Sequence, residues 1–471
     1  MRTERDTVSG DRGTGGGGDR PAAPGGALSR RAILGAAGGG AAALLAACGQ
    51  TGGARPATGG TGEAVQIDFY HRWQAEREPL MVAQVEDFHQ AQKGVRVNNN
   101  LMFPYDYAKL TSMVVAGTPP DVMMIDVAVN ADWAAQGMVR AVDDLLKRDR
   151  LAPKDIFYPA SVRLMQYDGK SVGMPQTVIA SHVLWVNSGV WQAAGLDPAR
   201  LPRTWEDLLA AGQRVTRRTA DGFDQIAGVF PHSVLMWATT NAVEWISEDH
   251  KKILFHTGEN AARTTEALEY MTDATARLYG SQAAMEAWVK ALAGPVGTGF
   301  GYAGFVTNKV AMQIEGAWQP YRFGLDAPDV KYVAGMIPFN GRNPRAKSTN
   351  LGDNGFNYAV LAGSKKVDAA WEWTKYITAG EGNPKFFRAQ GRPSVVRRFN
   401  EAPDLKKLPY WDVVLKTMEQ ATPLPMSPAW TKVTAQIGKM ATDVLGGKSA
   451  ARPAVEQYAR LAQDELDQAA R

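Results

Sequence analysis

Cysteine is almost absent: Cys48 is the only one in 471 residues. A single thiol excludes an internal disulfide, a C-x-x-C redox pair and a cysteine zinc site. Histidine is scarce, with His71, His89, His182, His232, His250 and His256. No two stand in H-E-x-x-H spacing, and there is no Walker A loop or G-x-S-x-G elbow. Charge is not concentrated. Against 48 acidic residues stand 52 basic ones, and the net +4 is spread along the chain, unlike the basic footprint of a nucleic-acid binder. The longest apolar run falls short of the roughly 20 residues a membrane-spanning helix needs. Gly299-Phe-Gly301-Tyr-Ala-Gly304 matches G-x-G-x-x-G. No clear strand precedes it and no acidic residue follows where a ribose would need one, so it reads as a loop or helix junction. No spacing singles out the paired carboxylates of a glycosidase. No metal and no cofactor are expected.

The chain is too long for one hydrophobic core, which stops growing near ~250–300 residues. Glycine is uneven: 18 of 48 lie in residues 1–62. After a polar, Gly-rich start come Arg30-Arg31, a mild apolar run from Ala32 to Ala47, and Cys48. That order is a charged region, an apolar region and a cleavage site, and the paired arginines resemble a twin-arginine export signal. Leu45-Ala-Ala-Cys48 resembles a lipobox, whose cysteine is acylated and becomes the first residue of the mature chain. Residues 1–47 thus read as a lipoprotein signal with a long polar start, and 48–62 as a flexible tether.

Beyond the tether, strands and helices alternate. Val65–Tyr70 alternates apolar and polar residues and leads into His71-Arg-Trp-Gln74. A helix begins near Pro79 with Met81, Val85 and Phe88 on one face. Val95–Val97 is a second strand, and Tyr105–Val115 reads as helical. Val122–Asp126 is a strand buried on both faces. Val183–Val186, Val310–Ile314, Tyr332–Met336 and Phe356–Leu361 are further strands. Thr204 and Asp207 fit a capping box, and Ser364 fits a cap for a helix over 365–378. Residues 258–293 are rich in helix formers. Prolines make the region after 402 irregular, with a surface helix from Pro453. The pattern predicts α/β lobes with mainly parallel sheets.

Thirteen tryptophans are present. A flat apolar ring with one N–H donor suits stacking on a sugar face. Trp185, Trp191, Trp205, Trp288, Trp371 and Trp373 sit in core patterns. Trp73 and Trp318 instead follow strands at their C-terminal ends, where open α/β sheets bind ligands.

These residues resemble the bacterial extracellular solute-binding proteins of family 1, sugar-binding lipoproteins related to maltodextrin-binding protein. The blocks run in family order: Ile67-Asp-Phe-Tyr-His-Arg-Trp73, Ala116-Gly-Thr-Pro-Pro-Asp-Val122, Pro202-Arg-Thr-Trp-Glu-Asp-Leu208, Lys309-Val-Ala-Met312 with Glu315-Gly-Ala-Trp318, and Gly391-Arg-Pro393. The resemblance implies the two-lobe periplasmic-binding-protein type II fold, with a hinge and an interlobe cleft. It implies lobes of 63–176 plus 341–390 and of 177–340 plus 391–471. It implies a monomer, tethered through acylated Cys48 outside the cytoplasmic membrane. This monomer would capture a small-molecule solute, a mono- or oligosaccharide, and present it to ABC permease subunits, with no catalysis of its own. In the cleft, Trp73 and Trp318 would stack on rings. Asp126, Glu315 and Asp353 would accept hydroxyl hydrogen bonds, and Arg72, Gln176, Asn354 and Arg392 would donate them. His71-Arg72 adds positive charge to the first loop, which leaves open a phosphorylated solute such as a glycerol phosphate. A sensor or adhesin role, or a carbohydrate-active enzyme with two facing carboxylates, are the remaining alternatives.

Overall fold

The computed structural model describes residues 63–469, apart from 104, 177–181, 220–221, 229–232, 293, 295–300 and 353–354. The signal and tether segments, Cys48, Asp353 and Asn354 lie outside the described residues. Among the described residues no helix is long and apolar enough to cross a membrane.

Ten strands build two five-stranded sheets. In chain order they are β1 (Val65–His71), β2 (Val95–Leu101), β3 (Val122–Asp126), β4 (Met174–Pro175), β5 (His182–Asn187), β6 (Arg217–Thr219), β7 (Gly222–Gly228), β8 (Val310–Gly316), β9 (Tyr332–Gly335) and β10 (Phe356–Val360). The first sheet runs β2-β1-β3-β10-β4 and the second β9-β5-β8-β7-β6. β1 is parallel to β2 and β3, and β10 is antiparallel to β3 and β4. In the second sheet β8 is parallel to β7 and antiparallel to β5. The chain therefore completes most of one sheet, builds the other, and returns through β10 to the first. Each sheet carries helices, giving two α/β lobes.

Local chemistry explains the elements. β1 turns Ile67, Phe69 and His71 inward, as period-two alternation requires. Every residue of β8 is buried, matching a strand covered on both faces. The helix Glu78–Ala91 has proline in its first turn and buries Met81, Gln84, Val85 and Phe88. The helix Trp205–Val215 opens on the expected capping box. Asp207 N–H donates to Thr204 Oγ1 at 3.1 Å, and Thr204 N–H to Asp207 Oδ2 at 3.0 Å. Trp185, Trp191, Trp205, Trp371 and Trp373 are fully buried, and Trp288 is half-buried against the core.

Three local expectations are corrected. The helix after β10 spans Val367–Thr378 with Lys366 as N-cap, so Ser364 does not cap it. The Ser364 hydroxyl instead donates to Asp121 Oδ1 at 2.7 Å and accepts the Lys366 N–H, because the buried Asp121 carboxylate needs donors. The first-lobe helix begins at Tyr107 rather than Tyr105, since Asp106 caps it by accepting the Lys109 N–H. The last helix spans Ala451–Ala469, two residues earlier than its proline suggested. The proline-rich region after 402 still forms one regular helix, Trp411–Glu419.

Candidate functional site

β1 and β8 each deliver a loop from their carboxyl ends, and the two loops meet. Arg322, in the helix Gln319–Asp326 after β8, has its Nη2 at 2.9 Å from Oε1 of Glu76 after β1. Arg77 Nε lies 3.5 Å from the same oxygen. Neither contact is aligned as a hydrogen bond at that oxygen. An ion pair thus spans the gap between strand-end loops of the two sheets.

Trp318 sits where the sequence predicts a platform. Its ring lies flat over Gly316: a Cβ there would meet ring carbons at 1.9–2.3 Å. His182 meets the ring edge-on at 5.1 Å between centroids. The Arg392 guanidinium stands 5.7 Å from the Trp318 centroid and 5.3 Å from that of Phe387. Trp73 is less open than its position suggested. Only 5% of it is exposed. Phe356 and Phe386 pack on its ring at 5.5 and 5.4 Å, and Arg77 covers it at 5.4 Å. An arginine thus stands near each strand-end tryptophan, at 5.4 Å from the Trp73 centroid and 5.7 Å from that of Trp318.

The other predicted residues fall into separate settings. Asp126 closes β3 beside Arg72, whose Nη1 lies 3.4 Å from both carboxylate oxygens. Tyr107 donates its hydroxyl proton to Asp126 Oδ2 and accepts the Asp126 N–H at 2.9 Å. Burial pushes the Asp126 carboxyl up, opposed by Tyr107 and by the Arg72 charge. The Arg72 guanidinium also faces the rings of Phe356 and Tyr105 at 5.2 and 5.9 Å. Arg72 and Asp126 thus satisfy each other and form a polar corner of the first lobe. Gln176 is buried just beyond β4, and its Oε1 meets no donor among the described residues. Glu315 is buried near the end of β8, and its backbone carbonyl accepts the Trp185 indole N–H at 2.9 Å. Arg392 is 5% exposed and touches Gln390 Oε1 at 3.4 Å. Burial, then the charge of Arg77, pushes its guanidinium down to about 9. Burial also lowers Arg77, partly offset by Glu76.

Sequence reasoning missed Glu76, Arg77 and Arg322. A signal was present. Trp73-Gln-Ala-Glu-Arg77 and Trp318-Gln-Pro-Tyr-Arg322 share the pattern W-Q-x-x-R, one copy after each strand. Arg77 stands 5.4 Å from the Trp73 ring, and Arg322 lies one helical turn beyond Trp318.

Two α/β lobes whose strand-end loops meet across an aromatic and charged gap define the extracytoplasmic binding-protein class. The chain belongs to the bacterial extracellular solute-binding protein family, whose model matches residues 74–384. It is similar to the sn-glycerol-3-phosphate-binding periplasmic protein UgpB of Agrobacterium fabrum, 23% identical over 159 residues. That alignment spans 32% of this chain and 36% of the relative's length. An ABC transporter solute-binding protein of Thermotoga lettingae, solved with α-D-tagatose, superposes with a TM-score of 0.70 at 21% identity, covering 86% of this chain and 100% of that one. The sugar-binding protein MalE of Xanthomonas citri gives 0.70 at 16% identity, covering 86% and 98%. Likeness at this level of identity establishes the fold.

Proposed function

We propose that the protein is the extracytoplasmic binding component of an ABC importer that captures a carbohydrate between its lobes and delivers it to permease subunits. The observation that carries this reading is Trp318: a half-buried indole seated against Gly316, just past the carboxyl end of β8. Such a face, rimmed by charged and amide groups, fits the C–H face of a sugar while the rim takes its hydroxyls. The tagatose- and maltose-type binding proteins that share the fold support a sugar, and the relative named for sn-glycerol-3-phosphate supports a small polyol ester. The lobes follow 63–176 plus 341–390 and 177–340 plus 391–471. The protein works as a monomer and holds its solute without turning it over. The family resemblance also assigns hydroxyl hydrogen bonds to Asp353 and Asn354, which lie outside the described residues.

A ligand at 100 times its Kd stabilises the native state by about 2.7 kcal/mol. Thermal-shift measurement of the purified protein should therefore rise by a few degrees with one carbohydrate class. That carbohydrate should be recovered unchanged after long incubation. A response confined to amino acids or peptides, or chemical conversion of the sugar, would remove this reading.

Acylated Cys48 holds the protein at the outer face of the cytoplasmic membrane after twin-arginine export. Cys48→Ser should move the protein from the detergent phase to the aqueous phase. Equal partitioning of both forms would contradict the anchor.

A further inference from the structure

Three arginines stand at the strand-end loops. Arg77, Arg322 and Arg392 gather there, and Arg77 and Arg322 share a single oxygen of Glu76. The side chains of Arg77 and Arg322 are 16% and 15% exposed. Arg392 is more deeply buried, is 3.4 Å from a neutral amide oxygen, and has no carboxylate within ion-pair distance among the described residues. The three belong to one field: the charge of Arg322 acts on Arg77, and that of Arg77 on Arg392. Two of them come from the W-Q-x-x-R segments after β1 and β8, so the cluster draws on both sheets.

Buried acceptors at the site that meet no donor among the described residues include Glu76 Oε1 and Gln176 Oε1, and unpaired donors accompany them. Arg77 Nε, Arg322 Nε and Trp318 Nε1 are buried and meet no acceptor among the described residues. Guanidinium and indole N–H groups only donate. A sugar hydroxyl offers an acceptor but also a proton, and the three arginines and Trp318 cannot accept it. An ionised carboxylate or phosphate offers acceptors alone, and its charge matches a guanidinium fork. Trp318 then supplies the face for the rest of the solute.

We propose that Arg77, Arg322 and Arg392 form an anion subsite in the cleft, and that the captured solute is an acidic carbohydrate or polyol bearing one carboxylate or phosphate. This rests on the carbohydrate reading above and narrows it. Arg392 is the floor of the subsite, and Arg77 and Arg322 are its walls. Glu76 holds the two walls in place and yields one of them when the anion enters.

Titration calorimetry on the full chain tests this with matched pairs. D-Glucuronate is set against glucose, D-galacturonate against galactose, glucose 6-phosphate against glucose, and sn-glycerol 3-phosphate against glycerol, with maltotriose and inorganic phosphate alongside. One acidic member should bind at least ~100-fold more tightly than its neutral partner, and its affinity should fall as salt rises. Uronates and phosphates distinguish the two sources of charge. Arg322→Gln and Arg77→Gln should each weaken the acidic ligand roughly 10- to 100-fold, because each removes a hydrogen-bonded charge from a desolvated pair. Arg392→Gln removes a buried group and can fail to fold. The acid-to-neutral ratio of the wild-type protein and its salt dependence stand independently of that variant. A neutral sugar binding as tightly as its acidic partner overturns the anion subsite and leaves the carbohydrate reading intact. Unchanged affinity in both Arg77→Gln and Arg322→Gln also overturns it. Inorganic phosphate binding with no hydroxylated anion following overturns it too. Silence from every carbohydrate, acidic and neutral, overturns the proposal together with the reading beneath it.

Discussion

Gly316→Ala should weaken ligand capture roughly 100-fold in a chain that still folds. The methyl group would sit 1.9 Å from one Trp318 ring carbon and 2.3 Å from two others, well inside contact distance. Gly316 ends β8 in register opposite His182, so the backbone there cannot retreat without unpairing the strand. The half-buried ring must rotate away instead. Overpacking of this kind costs about 1–3 kcal/mol of stability, which a protein of this size can survive. Binding suffers more. Losing a tryptophan that anchors a ligand removes about 2–3 kcal/mol, or roughly 100-fold in Kd. Trp318→Ala should show the same loss, and the double variant should be no worse than either single one, because both act on one contact. Calorimetry with the ligand found by thermal shift reads this directly. Wild-type affinity in Gly316→Ala would mean that Trp318 does not touch the solute.

Acid should unfold the first lobe through His71. The side chain is fully buried at the end of β1, and burial pushes its imidazole down to about 4. Its Nδ1 accepts the Trp73 N–H at 3.1 Å, which requires the neutral ring, and its face stacks on Phe69 at 5.4 Å. The unfolded chain has the ordinary value of 6.5. Between pH 6.5 and 4 the unfolded state therefore binds the extra proton. The stabilisation is complete above 6.5 and is lost as pH falls through about 4. The difference of about 2.5 units corresponds to roughly 3 kcal/mol. His71→Asn keeps an acceptor near the Nδ1 position and removes the titration. The urea midpoint of the wild-type protein should drop steeply from neutral to pH 4, and that of His71→Asn much less. His89, His250 and His256 are also held below their ordinary value, chiefly by burial, so a shallow slope should persist in the variant. Parallel curves for the two proteins would remove His71 from the account.

The architecture was legible because its signals are local. β3, β5 and β8 each show as a short apolar run closed by a polar or glycine residue, β1 shows as alternation, and hydrophobic spacing marked the face of the helix Glu78–Ala91. The return of β10 to the first sheet was not readable from periodicity. Strand pairing between residues more than 200 apart leaves no local trace, and only the family resemblance implied it. At the site, a tryptophan after a strand was a sound clue to position and a poor one to exposure. Trp73 and Trp318 hold matching places in their loops. Only Trp318 rests on a glycine at the cleft; Trp73 is enclosed by Phe356 and Phe386, which come from distant parts of the chain. Arg72 and Asp126, both read as ligand contacts, also stand 3.4 Å from each other. The pairing of two loop ends cannot be seen until the strands that carry them are adjacent. Glu76 and Arg322 escaped notice for the same reason: an ion pair across 246 positions has no sequence period.

The repeated Trp-Gln-x-x-Arg segments bear on how such a protein changes its diet. Ring and charge are carried by different residues of one short segment, four positions apart, once after β1 and once after β8. A single codon change at 77 or 322 alters the charge offered to the solute while the neighbouring indole keeps its seat. Under the proposed anion subsite, substitutions at these two positions would shift preference between acidic and neutral solutes and leave both rings in place.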